Sequence, residues 1–243
     1  MNVHRVKKNA SCLATYAWWK GIFDRFFALL ILVILSPLLV LITILIRLDS
    51  QGNPIFCQER IGKDGRRFIL YKFRSMYQNH DDSKYQAYWK KYVQENSASL
   101  MDENGQDVYE LIHDPRITRM GFLIRRSSLD ELPQLLNILK GDMSFIGPRP
   151  DVPFALEFYN THHRQRLLVK PGITGLWQVF ENRKRITFDD MVSLDIDYIN
   201  RQSLSLDVKI VLRTVLEIFS FGSRQRGLEE VNMPEGMENG IKI

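Results

Sequence analysis

One stretch decides what this chain can fold into. Phe26 to Ile46 is a run of 21 residues without a charge, FFALLILVILSPLLVLITILI. At about 1.5 Å per helical residue it matches a hydrocarbon core about 30 Å thick. It is too long for a secretory signal, and no small-residue cleavage site follows it. A one-pass anchor is the plain reading, and a kinked spanning helix is compatible with it. Two features favour a re-entrant hairpin. Ser36-Pro37 lies mid-run, where proline removes a backbone donor and frees a carbonyl that needs another partner, the Ser36 hydroxyl being one candidate. Cations also flank both ends: Arg5, Lys7, Lys8 and Lys20 before, Arg47, Arg60, Lys63 and Arg66 after. The positive-inside rule asks for both flanks in the cytoplasm, which a single crossing cannot provide. Trp18 and Trp19 would then sit at the headgroup level.

The remaining residues suffice for a folded body. At about 150 residues per domain, 243 residues allow one large domain, or one domain with an appendage. A 45% apolar, 25% charged composition excludes disordered and collagen-like classes. Cys12 and Cys57 have neither the spacing nor the neighbours of a metal site, so a disulfide framework and a structural zinc are not expected. The net charge of +5 admits a polyanionic partner without choosing one, and the apolar run argues against nucleic acid.

Two β-rich runs around Lys63-Asp64-Gly65 predict a hairpin over 55–76. Residues 77–112 are polar and read as an insertion, in which Tyr85, Tyr88, Trp89 and Tyr92 fall on one helical face, for packing or for membrane contact. Pro133 suits the first turn of a helix running to Lys140, with Gly141 closing it. Helical stretches are expected over 153–168 and 188–201, then an amphipathic helix behind a capping Asp207, and a loose tail after Gly222. The domain reading is a membrane segment over 1–48, a catalytic domain over 49–221 and a tail over 222–243. The expected fold class is α+β, mostly helical around a small β-hairpin, in a monotopic membrane protein with a re-entrant helix-break-helix segment and interfacial amphipathic helices. A homodimer built through the tail or the insertion is compatible with the sequence.

Asp130-Glu131 is the pair that attracts chemistry. Ser128-x-x-Glu131 also fits a capping box, which is a purely structural role. The surroundings add cations, however: Arg125 and Arg126 upstream, Gly147-Pro148-Arg149-Pro150 downstream, Lys72 and Arg74 from the hairpin. Acids among fixed cations suit a phosphate-bearing ligand, and a carboxylate attacking a pyrophosphate needs such charges or Mg²⁺ to neutralise its approach. The adjacent His162-His163 have no metal-binding pattern and read as surface residues. Dinucleotide-binding, P-loop and hydrolase signatures do not occur.

The chain resembles the bacterial sugar transferases, the monotopic phosphoglycosyl transferases that start glycan assembly on a polyprenyl phosphate. The resemblance runs over about 20–214 through an ordered set: Ser36-Pro37, Gln58-x-Arg60-x-Gly62, Lys72-Phe73-Arg74-Ser75-Met76, Asp114-Pro115-Arg116-Ile117-Thr118, Ser128-Leu129-Asp130-Glu131-Leu132-Pro133-Gln134, Gly147-Pro148-Arg149-Pro150 and Pro171-Gly172-Ile173-Thr174-Gly175. It implies that Asp130 attacks the β-phosphate of a UDP-sugar, releases UMP and carries a phosphosugar that undecaprenyl phosphate then accepts. It further implies Mg²⁺ at Asp130, Glu131 as partner carboxylate, and phosphate contacts from Arg149 and Arg125, with Lys72 and Arg74 lining the site. Ser36 and Pro37 would break the membrane helix so that both ends stay at the cytoplasmic face of the inner membrane. Gln178-Val179 runs into Phe180-Glu181-Asn182-Arg183, so Arg183 stands one residue late for the family's arginine; Lys170 replaces another; and Gly175-Leu176-Trp177-Gln178 looks more like the larger hexose-phosphate transferases. A UDP-releasing glycosyltransferase and a non-catalytic assembly scaffold are the alternatives.

Overall fold

The computed structural model describes residues 3–77, 90, 92–94, 96, 116–180 and 186–231, with side chains between 15 and 218. Its longest element is α1, Val3–Asp49, which contains the apolar run. The expected break into two helices at Ser36-Pro37 is not formed: α1 is one helical element with Pro37 inside. Pro37 has no N–H for the Val33 carbonyl four residues back. The Ser36 hydroxyl donates to that carbonyl instead, at 2.8 Å.

Both ends of α1 are fastened to the same protein body. At its N-terminal half, Tyr16 donates to Asp207 at 2.8 Å, Lys20 pairs with Asp207, and Asp24 accepts from Ser144 at 2.7 Å. At its C-terminal end, Arg74 donates to the Ser50 carbonyl at 2.7 Å, and Asp49 accepts from the Met120 N–H at 2.9 Å. Between them Ala28, Ile42 and Ile46 are buried, whereas Phe26, Leu30, Val33, Ile34, Val40 and Leu41 on the far side are exposed. One helix face therefore meets protein on both sides of Pro37, and the other is an exposed apolar face.

The predicted hairpin forms. β1 (Ile55–Ile61) and β2 (Arg67–Phe73) pair antiparallel, from Ile55 opposite Phe73 to Ile61 opposite Arg67. The turn closes on Gly62 N–H to Arg66 O at 2.7 Å, with Asp64 at φ 57. α2 (Arg119–Arg126) is capped by Thr118, which accepts from Gly121 N–H at 2.9 Å. A 3-10 turn over Leu129–Gln134 leads into α3 (Leu135–Lys140), which Gly141 ends at φ 91. Thus the helix expected from Pro133 starts two residues later and is preceded by tighter coil.

β3 (Ser144–Ile146) and β4 (Gly172–Thr174) form a short parallel pair. The stretch expected as one helix over 153–168 is two 3-10 segments, Pro153–Phe158 and His163–Leu168, parted by Tyr159–His162. α4 (Phe188–Arg201) has the predicted bounds and a true capping box, Thr187 with Asp190. α5 (Leu204–Val231) begins before Asp207 and continues past Gly222, where a loose tail was expected. Asp207 is not its cap but a buried acceptor, 6% exposed, that takes Tyr16, Lys20 and Tyr198 together. The outer face of α5 carries exposed Val208, Leu212, Val215 and Leu216, so its apolar side is turned away from the body. Polar groups point inward, as Thr214 does to Thr174 at 2.8 Å. That inversion suits a helix lying against lipid.

Of the aromatic stripe, Tyr92 packs edge-on against Phe188 in a buried cluster with Tyr159 and Val192, a packing role. Tyr85, Tyr88 and Trp89 lie outside the described residues. His163, expected at the surface, is buried: its ring stands edge-on to Phe188 and contacts Asp189 at 2.7 Å, while His162 is exposed.

Candidate active site

The acid pair sits on a turn that the apolar core holds down. Leu129 and Leu132 pack into the cluster of Ile42, Ile46, Phe73 and Ile124, against the second half of α1. Just before them Ser128 is left-handed, φ 56 and ψ 16, and makes no side-chain cap. The capping box read from Ser128 and Glu131 is therefore absent, because the hydroxyl of a left-handed residue is not aimed at the following N–H groups. That releases Glu131 for other partners.

Its Oε1 accepts from Lys72 Nζ at 2.9 Å and from Arg149 Nη2 at 3.3 Å. Burial alone would push this carboxyl up, but the two cations overcome it and hold Glu131 at about 2. Asp130 has the opposite balance. Burial is its dominant influence and Glu131 adds to it, so its carboxyl is raised despite Lys72, Arg125 and Arg149. Asp130 makes no side-chain hydrogen bond among the described residues. One acid is thus locked by cations, and its neighbour stands among those cations without a fixed partner.

Lys72 is placed by β2, and β2 by a residue that the sequence did not single out. The side chain of Asn137, fully buried on α3, accepts from Tyr71 N–H at 3.1 Å and donates to Ile69 O at 2.6 Å. It stands in for a third strand along that edge and sets the hairpin against the acid-bearing turn.

Arg149 lies on the Gly147–Pro150 loop. Gly147 and Gly172 come so close that a Cβ on Gly172 would lie 2.2 Å from the Gly147 nitrogen. The two glycine-containing motifs, 25 residues apart in sequence, are therefore one backbone-to-backbone contact. Arg125, at the end of α2, has a buried Nη1 with no hydrogen-bond acceptor among the described residues, a donor suited to an incoming anion.

Of the predicted site residues, Asp130, Glu131, Lys72, Arg125 and Arg149 are brought together. Arg74 is not: it is 5% exposed and donates to Ser50 O and Oγ at the end of α1. β2 ends at Phe73, so the same-face rule that would pair Arg74 with Lys72 no longer applies. Arg183 lies outside the described residues.

No cluster of three or more metal-ligating side chains occurs among the described residues. The donor set fits Mg²⁺ in its common form, one carboxylate completed by substrate phosphate oxygens and water. Asp130 is the carboxylate that would provide it, since Glu131 is engaged by two cations.

A model of the family described as Bacterial sugar transferase matches residues 15–221. The galactosyl transferase CpsE of Streptococcus agalactiae is 42% identical over 178 residues, covering 73% of this chain and 37% of that protein. The exopolysaccharide production protein ExoY of Sinorhizobium fredii is 38% identical over 196 residues, covering 81% of this chain and 83% of ExoY. The undecaprenyl-phosphate galactose phosphotransferase of Salmonella typhimurium is 40% identical over 195 residues, covering 80% and 39%. The chain thus spans most of ExoY but under two fifths of the other two. On the family match and the likeness to ExoY, the chain belongs to the bacterial sugar transferase family.

Proposed function

We propose that this protein transfers a sugar 1-phosphate from a UDP-sugar to undecaprenyl phosphate, initiating a bacterial surface glycan. An Asp130 carboxylate oxygen attacks the β-phosphorus, and the bond to the bridging oxygen breaks. UMP leaves with that oxygen and its electron pair, and an acyl phosphosugar remains on Asp130. An oxygen of the polyprenyl phosphate then attacks the same phosphorus. The Asp130 oxygen departs as carboxylate, and polyprenyl diphosphate sugar is formed. Arg149, Arg125 and Lys72 hold the phosphate oxygens and offset the charge that an anionic nucleophile meets on approach. Glu131 keeps Lys72 and Arg149 in place. Mg²⁺, bound at Asp130 and the donor diphosphate, would supply further charge neutralisation.

The observation that carries this reading is the division of labour in the pair: Glu131 fixed by two cations, Asp130 unbonded among them. The names of the Salmonella relative and of the UDP-glucose:undecaprenyl-phosphate glucose-1-phosphate transferase of Xanthomonas campestris support the acceptor and donor classes.

The same proposal includes topology. α1 dips into the bilayer with both ends at the cytoplasmic face of the inner membrane, a path that needs α1, continuous in this structure, to bend at Pro37 when it enters lipid. Its fastening at Lys20 and at Ser50 to one polar body supports this, because a perpendicular crossing would part those sites by the full bilayer. The exposed apolar sides of α1 and α5 would share the lipid. A soluble nucleotide sugar and a lipid-borne phosphate could then meet at the turn seated on α1.

The test is nucleotide release by detergent-solubilised protein with Mg²⁺ and undecaprenyl phosphate across a panel of UDP-sugars. UMP from one donor, lost in Asp130→Asn, is the expected result. UDP release would establish ordinary glycosyl transfer and overturn the mechanism.

A further inference from the structure

The loop carrying Arg149 is held in an unusual way. All four consecutive carbonyls from Pro148 to Asp151 accept a hydrogen bond, two from β1, one from β4 and one from the His163–Leu168 segment. Gly172 N–H donates to Pro148 O at 2.9 Å, and Ile61 N–H to Asp151 O at 2.8 Å. The two inner carbonyls take side chains: Arg166 Nη2 to Arg149 O at 3.3 Å, and Arg60 Nη1 to Pro150 O at 3.1 Å. Pro148 and Pro150 fix their own φ and need no acceptor, so the loop has little freedom left.

Both arginines are held in turn. Gln58 Oε1 accepts Arg60 Nε at 3.0 Å, across the strand face of β1. Arg166, buried, donates to the Tyr159 hydroxyl at 2.9 Å, pairs with Asp151, and has Nη2 2.7 Å from Asp195 Oδ2. The Arg149 side chain leaves this clamp and reaches Glu131 while 40% exposed, within reach of a solvent-borne ligand.

We propose that Arg60 and Arg166 are positioning residues that act through the backbone of the 148–151 loop to aim Arg149 at the donor diphosphate. The proposal rests on the function assigned above. Gln58-x-Arg60 thereby acquires a physical purpose: it is the strand-borne half of the clamp. Arg166, from a 3-10 segment without a recognisable motif, is the other half. Neither guanidinium contacts the acid pair, so each acts only through the geometry of Arg149. A misplacement of about 1 Å in such a group costs on the order of 100-fold in extreme cases.

The experiment is a double-mutant cycle read as the Kd for UDP with Mg²⁺, since UDP carries the diphosphate without the sugar and needs no turnover. Arg60→Ala, Arg149→Ala and the double variant are compared with the wild-type protein in detergent. Arg60 is preferred to Arg166, whose loss would leave buried acids unpaired. We expect Arg149→Ala to weaken UDP about 10- to 100-fold and Arg60→Ala about 10-fold, with the double variant no weaker than Arg149→Ala alone. Multiplying losses, or a Kd unchanged by Arg60→Ala while Arg149→Ala weakens it, would overturn the proposal. If Arg60→Ala lowers the melting temperature into the assay range, the cycle is run with Arg60→Lys, which keeps charge but cannot hold Gln58 and Pro150 at once; the same two outcomes decide. A Kd unmoved by Arg149→Ala would instead remove Arg149 from phosphate binding, a failure of the functional reading rather than of the clamp.

Discussion

Replacing Glu131 by Gln removes a charge whose worth the structure lets us estimate. The folded protein holds this carboxyl at about 2 against an ordinary 4.5. At 1.36 kcal/mol per pK unit that difference corresponds to about 3 kcal/mol of stability at pH 7. Glu131 is 19% exposed, so solvent screening is modest. Gln keeps an amide oxygen that Lys72 can still donate to, which reduces the expected loss to about 2 kcal/mol. For a protein of this size that lowers the melting temperature by about 4–8 °C. The pH dependence follows from the depressed value: the contribution is complete above 4.5 and is lost as pH falls through 2. Integrated, it is down to about half by pH 3. The assay is a pair of melting curves for wild type and Glu131→Gln in one detergent, at pH 7 and pH 3. A gap at pH 7 that at least halves at pH 3 supports the argument. Equal melting at pH 7, or a gap that does not shrink with acid, would refute the assignment of Glu131 as the locked member of the pair.

Asp130→Asn should do the reverse while abolishing UMP release. Burial raises the Asp130 carboxyl, so its ionisation opposes folding increasingly as pH rises from about 3.9. The amide variant should therefore melt higher than wild type at pH 7 and alike below pH 3, by differential scanning fluorimetry. Ser128→Gly relieves a left-handed serine and should raise stability by about 1 kcal/mol, read as a denaturation midpoint. Asp207→Ala leaves Lys20 without its buried partner and should cost about 3 kcal/mol or more, with α5 becoming more accessible to proteolysis.

What the sequence made legible was whatever it encoded locally. The hairpin was announced by strand composition around a Gly/Asp turn, and a helix was expected over 188–201; both stand where expected, and the Thr187–Asp190 capping box that starts α4 is local as well. Asp130, Lys72 and Arg149 could be named because each falls in a motif, and Arg125 because it lies just upstream of one. Arg74, named from the hairpin and the resemblance, turns instead to Ser50, 24 residues upstream, a contact that no local pattern encodes. The Ser128 cap misled because a left-handed backbone is not written in residue identity. Asn137 could not be found at all: its partners, Ile69 and Tyr71, are more than 60 residues away, and an asparagine in an apolar helix carries no signal of its own. Asp207 looked like a cap for the same reason, since Tyr16 lies 191 residues upstream.

That last separation has a consequence for biosynthesis. Lys20 meets Asp207 across 187 residues, so this clasp on the first half of α1 closes only after α5 has been made. At about 5–20 residues per second this delay is roughly 10–40 s. Throughout it Tyr16 and Lys20 lack the acceptor that later fixes them, while the apolar run is already complete. The apolar run is thus complete long before α5 can clasp the helix that carries it, and docking of the first turns of α1 is among the late events of folding.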